Sequence, residues 1–507
     1  MKQFMKYSNS ILRIEKLFPY KIQVLFFFML LYCPISAQKL IRSIPEKIST
    51  RFSDYEIIGK NDLGLVVHFF GTNESELVTY SDKLKILNRK ETPIKGRGVS
   101  LENFILLKNK ILAFYTTNSE ERQYFKLKVL DADLNVSKET ILLDSVSTAS
   151  LGSGKTFYVK ASPDKSKLLA FSILKNRAAY FVKFLILNDS LQIIHQNIFT
   201  IQDGAYAALK SMKITNEGDV LAVIGQENGA TKNEYQYDKY TTLIFNHTSN
   251  SIIEQELVAQ DYVFKHSISE LSVQKNLAFI ASCYKSKKDK NDIGIWLQIL
   301  NLNTNTVVLN SKMPYTKELL QKSQTTETRT WQEKAELIRP KRIIPRSDGG
   351  MILITEGEYK NTKIDRIAIN NYGYYNATNF APSVRYIDQN YFYDIGIFSF
   401  SSDGKLDWQS QIPKLQSSEN DEGYYSSFAL FEANNVLKFL FNEDFYSIGN
   451  FLEYNVNPNG LVKRLSVMNS EKQNLVLAPL KAKQLDGKSI VFPSEQKRNL
   501  QLVIFEY

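Results

Sequence analysis

The chain has 507 residues, 43% of them hydrophobic and 23% charged, with 63 basic and 53 acidic side chains and a formal charge of +10. So much apolar and aromatic material can build an extensive core, which excludes a disordered chain. A basic excess this mild, spread over this length, lacks the concentrated patches of a nucleic-acid binder, and two cysteines exclude a disulfide framework.

Residues 1–37 read as a secretory signal peptide. A leader carrying Lys2, Lys6, Arg13, Lys16 and Lys21 precedes the apolar run Val24 to Leu31, followed by Pro34-Ile35-Ser36-Ala37. The apolar run is too short to span a bilayer comfortably, and cleavage is expected after Ala37. A lipid-modified Cys33 is disfavoured because Tyr32 stands where a small residue is needed. Without the leader the charge falls to about +6 and Cys283 is the sole cysteine, so no intramolecular disulfide can form. The expected location is the periplasm or cell envelope, with secretion as the alternative.

From residue 39 to 507 a unit of about 45 to 60 residues recurs: 51–97, 100–146, 155–202, 206–262, 266–314, 338–415 and 425–470, then a shorter tail from 475. Each unit holds three or four short apolar strands separated by Asn/Asp/Gly turns, the signature of a β-propeller. The third is the cleanest, with strands Phe157-Tyr158-Val159-Lys160, Lys167 to Ser172, Tyr180 to Leu187 and Leu191 to His195. The predicted fold is therefore all-β, a single propeller of eight four-stranded blades, with seven as the alternative. The tail has only three strands, and Leu40-Ile41-Arg42-Ser43-Ile44 is predicted to supply its fourth, pairing the two ends of the domain.

The stretch Ala161-Ser162-Pro163-Asp164-Lys165-Ser166-Lys167-Leu168-Leu169-Ala170-Phe171 resembles the turn of the WD-like repeats in TolB-type propellers, with Lys165 where that repeat has glycine. Arg346-Ser347-Asp348-Gly349-Gly350-Met351 is a looser second match. The resemblance covers some ten residues per blade; it implies the fold and, since such propellers mostly bind partners, interaction rather than chemistry.

The links from first to second and from third to fourth strand are tight and share one face of the disc. All long connections fall on the other: 226–239, 285–292, 316–336 and 357–390. The excursion 315–337 contains a predicted helix with Thr330 and Glu333 at capping-box spacing, and Trp331 is either a ligand platform or a peg. The insertion 357–390 is rich in aromatics, among them Tyr359, Tyr372, Tyr374, Tyr375, Phe380 and Tyr386, with Tyr391 following it. Such rings suit a peptide or a sugar, or else pack the insertion on itself.

Chemistry is sparse. His68, His195, His247 and His266 lie in different units without ligand spacing, so neither metal nor cofactor is expected. Asp131 to Asn135 lacks the glycine and the later Glu of a calcium loop, and Gly152-Ser153-Gly154-Lys155-Thr156 lacks the first glycine of a phosphate loop. Carboxylates at the starts of inner strands, Asp54, Glu102 and Glu270, with Arg342 nearby, are the candidates for a channel mouth and for glycosidase chemistry. The leading expectation is an exported, non-enzymatic, monomeric propeller binding a protein or glycan through its elaborated face. A carbohydrate-active enzyme and an envelope scaffold are the alternatives.

Overall fold

The computed structural model describes residues 39–507 apart from 73, 93, 149–155, 176–178, 203–206, 227–235, 259–260, 273, 318–319, 321–329, 368–382, 434 and 444–448. The leader, the segment Gly152 to Lys155, and Tyr372, Tyr374, Tyr375 and Phe380 lie outside the described residues.

Eight antiparallel sheets form eight blades, which settles the blade number. Blade 3 shows the pattern: Phe157–Ala161, Leu168–Lys175, Ala179–Leu187 and Ile193–Gln202, in chain order from the inside outward. The two middle strands are almost wholly apolar because both of their faces are covered by neighbouring blades. The outer strand alternates exposed and covered residues.

An apolar cluster fills each of the eight seams between adjacent blades. The seam between blades 3 and 4, for example, holds Val182, Phe184, Phe199, Val220 and Phe245. Burial is thus spread over every seam of the ring.

Blade 8 consists of Lys483–Gln484, Ser489–Gln496, Asn499–Glu506 and, on the outside, Lys39–Arg42. Lys39 pairs with Glu506 and Arg42 with Val503, so the first described strand closes the ring on the last as predicted. Glu46–Lys47 adds a further pairing to the same strand. The inner strand of this blade is reduced to two residues, preceded by a 3₁₀ turn at Pro479–Lys481, although Leu480-Lys481-Ala482-Lys483 reads in sequence as the first of the tail's three strands.

The WD-like turn of blade 3 folds as its residues dictate. Ser162 Oγ donates to Asp164 at 2.7 Å and accepts from the Lys167 amide at 3.0 Å. Lys165, standing in the glycine position, adopts φ +62°, the left-handed conformation that glycine would take freely.

Blade 6 departs from the pattern. Its middle strands, Met351–Ile367 and Ser383–Phe400, run 17 and 18 residues. Most of the predicted 357–390 insertion is therefore not a separate loop but a ladder continuing from Glu358↔Phe392 to Ile367↔Ser383 beyond a bulge at Glu356/Glu358.

Candidate functional site

The elaborated face centres on the root of that blade 6 ribbon. The inner strand Ile338–Pro345 pairs with its neighbour only as far as Gly357, and a short strand, Gln416–Glu419, covers the other side from Gln389 to Phe392. Past those points the two ribbon strands pair only with each other among the described residues.

The root is held by buried charge. Glu356 is fully buried, and Lys414, 4% exposed, places its ammonium 2.7 Å from one Glu356 carboxylate oxygen. The other oxygen meets Lys341 at 3.2 Å and accepts from Ser427 Oγ at 2.7 Å. Lys341 is also paired with Glu358, across the bulge. Burial lowers the Lys414 pKa, partly opposed by Glu356; Lys341 is likewise desolvated, but Glu356 and Glu358 outweigh this and hold it above the ordinary lysine range. Lys414 Nζ also donates to Gln416 at 3.0 Å, and Gln416 in turn donates to the Asn442 carbonyl of blade 7 at 2.6 Å.

Lys414, Gln416 and Ser427 all come from the connection between blades 6 and 7, a strap over residues 413–428. Asn420 exchanges two hydrogen bonds with Asp388 of the ribbon, at 2.8 and 3.0 Å. The strap then bends sharply: Asn420, Glu422, Gly423 and Ser427 all have positive φ, and a Cβ on Gly423 would strike the Phe392 ring. Beyond the bend the Tyr424 hydroxyl meets that of Tyr55 at the start of the blade 1 inner strand, and Tyr425 donates to the Glu495 carbonyl of blade 8 at 2.7 Å. Burial raises the pKa of both Tyr55 and Tyr424; the neighbouring Tyr424 adds to the rise at Tyr55, whereas the hydrogen bond from Tyr55 opposes it at Tyr424. The strap thus ties the ribbon to blades 7, 8 and 1. Asn390 Nδ2, Ser418 Oγ, Asp421 Oδ2 and Ser426 Oγ, all buried in this neighbourhood, have no hydrogen-bond partner among the described residues.

The candidates read from sequence divide cleanly. Asp54 is paired with Lys481, Glu270 with Lys213 at 2.9 Å, and Arg342 with Glu432 at 2.9 Å, each an ion pair between neighbouring blades. Glu102 accepts from Thr116 at 3.1 Å. Each of these acids thus has a partner of its own. Trp331 opens the helix Trp331–Leu337, whose capping box is present, and packs, partly buried, against the seam between blades 5 and 6 that holds Tyr315, Leu320 and Ala335.

In the ribbon, Tyr359 and Tyr391 sit opposite one another with ring centroids 5.9 Å apart and pack together at the root. Tyr386 is 64% exposed and its cross-strand partner Ile364 is 56% exposed, so the outer part presents apolar surface.

Sequence reasoning missed Lys414, Glu356 and Ser427. It also missed that His195 and His247, from adjacent blades, approach to 6.4 Å between ring centroids, with His247 Nδ1 2.7 Å from Asp219. Among the described residues no group of three or more His, Cys, Asp or Glu is placed to hold a metal, and no helix is long and apolar enough to cross a membrane. Cys283 donates to the Ile338 carbonyl at 3.3 Å, and burial pushes its thiol up to about 12.

Fold and site together define an eight-bladed β-propeller with one elaborated face. No family model and no curated protein matches the chain. Among solved structures it is similar to the β-propeller domain of Nup133 from Vanderwaltozyma polyspora, at 8% identity and TM-score 0.39, covering 87% of this chain and 100% of that one. It is similar also to prolyl oligopeptidase B from Galerina marginata, at 7% identity and TM-score 0.40, covering 90% and 55%. A puromycin hydrolase gives 10% identity and TM-score 0.26 over 64% and 52%. The chain spans about half the length of those last two proteins, and the likenesses concern fold alone.

Proposed function

We propose that this is an exported, non-enzymatic propeller that binds a protein partner through the blade 6 ribbon. The observation that carries the reading is the exposed Ile364–Tyr386 pair on a two-stranded ribbon whose outer edges pair with no further strand among the described residues. An isolated ribbon of two strands is at best marginally stable in water, and a rigid root that holds one out suits pairing with a strand or groove of another polypeptide. A polypeptide satisfies open backbone edges as a glycan does not. Export rests on the charged leader and apolar run of residues 1–37. The enzymatic reading draws no support from acids each met by its own partner, Asp54 and Glu270 by lysines and Glu102 by Thr116.

A photo-crosslinking residue placed at Tyr386 should give a discrete protein adduct in envelope extract, and one at Lys405, in a tight turn on the opposite face, should not. Equal labelling at both positions, or none at Tyr386, would remove the reading; a carbohydrate adduct would transfer the surface to a glycan.

A further inference from the structure

A second site lies away from the ribbon, where blades 1 and 2 meet on the same face. A cleft of about 330 Å³ opens there between the inner strands Asp54–Asn61 and Val99–Leu106. Its floor is His68, 7% exposed, flanked by the rings of Phe104 at 4.9 Å and Phe70 at 5.1 Å. The His68 Nε2 is 2.8 Å from Ser75 Oγ, which fixes the ring. Val99 and Leu101 continue the apolar wall.

The rim carries carboxylates. Glu56 stands opposite His68 in the strand ladder, exposed, with no hydrogen bond or ion pair from its carboxylate among the described residues. Glu102 and Glu74 also line the cleft, the first accepting from Thr116 at 3.1 Å and the second 4.0 Å from Arg51. The one lysine there, Lys95, is 3.1 Å from Glu91, so its charge is already met. Burial lowers His68 to about 4, leaving it neutral at pH 7 and adding no positive charge to the floor.

We propose that this cleft binds a primary ammonium group carried on a compact, partly apolar body, with Glu56 facing the charge and Phe104, Val99 and Leu101 the body. A carboxylate beside low-dielectric walls focuses potential toward a cation, and the cleft sets an apolar patch of Phe104, Val99 and Leu101 beside its polar groups. The volume admits one sugar ring or one amino-acid side chain, not an oligomer. Two sources share this chemistry: an amino sugar, and a lysine side chain presented by a peptide.

The four histidines make the test direct, since His68 is one of four imidazoles in the chain. Its NMR signals, assigned with a His68→Gln variant, should shift saturably on adding glucosamine or Nα-acetyl-lysine methylamide at millimolar concentration. N-acetylglucosamine, which lacks the charge, should leave them in place. The better of the two amines identifies the source. Glu56→Gln should weaken the response at least fivefold while the signals of His195, His247 and His266 stay fixed, reporting an intact fold. No shift with either amine, an equal shift with N-acetylglucosamine, or an unaltered response in Glu56→Gln would each overturn the proposal.

Discussion

Blades 3 and 6 are built on the same four-strand plan and held in place by opposite means. In blade 3 the middle strands bury Leu169, Phe171, Val182 and Phe184 against the next blade, contacts that need volume but little direction. In blade 6 the same two strands run on past the disc, and at the point of exit the core gives way to Glu356, Lys414 and Lys341. Apolar packing sets where a blade sits; buried charge sets the angle at which a ribbon leaves it, because ion pairs and hydrogen bonds tolerate few geometries. Stiffness on the elaborated face is obtained at some expense to stability, as its orphaned polar atoms and left-handed residues show.

The widest gap between the two blades should appear in double substitutions. Glu356→Leu strands Lys414 without its partner and is expected to cost about 3–5 kcal/mol in urea unfolding, whereas Glu356→Leu with Lys414→Leu should recover most of that loss. Phe184→Ala in blade 3 should cost a similar ~3–5 kcal/mol, with no partner substitution that restores it. Additive losses in both blades would erase the distinction.

His68 shows what a titratable group does in a seam of the plain kind. Its folded pKa, about 4, lies below that of a free histidine, so the unfolded chain takes up the proton first. Stability should therefore be intact above about pH 6.5 and fall by up to about 3 kcal/mol as the pH drops toward 4. His68→Gln should flatten that part of the profile in thermal melts across the same window.

Smaller effects sharpen the contrast in backbone. Gly423→Ala adds a methyl group where φ is +80° and Phe392 is in the way, and should cost about 1–3 kcal/mol while loosening the strap, seen as faster amide exchange at Asn420. Lys165→Gly relieves a left-handed lysine in blade 3 and should raise stability by up to about 1 kcal/mol. Smallest of all, Ile364→Ser with Tyr386→Ser should change stability by no more than about 0.5 kcal/mol yet abolish partner capture. A large loss of stability there would mean that the two side chains pack rather than present.

Most of the ring was legible in the sequence because its signals are local: strand-length apolar runs, turn residues, and a period that repeats them. Even the closing strand could be inferred, since a blade short of one strand implies a donor elsewhere. The strap was not. Lys414-Leu415-Gln416 and Tyr424-Tyr425-Ser426-Ser427 have the composition of a solvated link, and burial of Lys414 depends on Glu356, far away in sequence. Positive φ at Asn420, Glu422 and Ser427 has no reliable signature outside glycine. The blade 6 aromatics were visible as a group, but only pairing across the ladder separates Tyr359 and Tyr391, which pack, from Tyr386, which is open.

The pairing of Lys39 with Glu506 bears on the order in which the molecule is made. The first strand of the ring has its place reserved beside the last strand of the ring. Seven blades can assemble from neighbours in turn, but the eighth waits until Asn499–Glu506 has been made, and until then Lys39–Arg42 and the flank of blade 1 have nothing to dock on. A chain stopped short of that strand would therefore be an open arc with two raw ends.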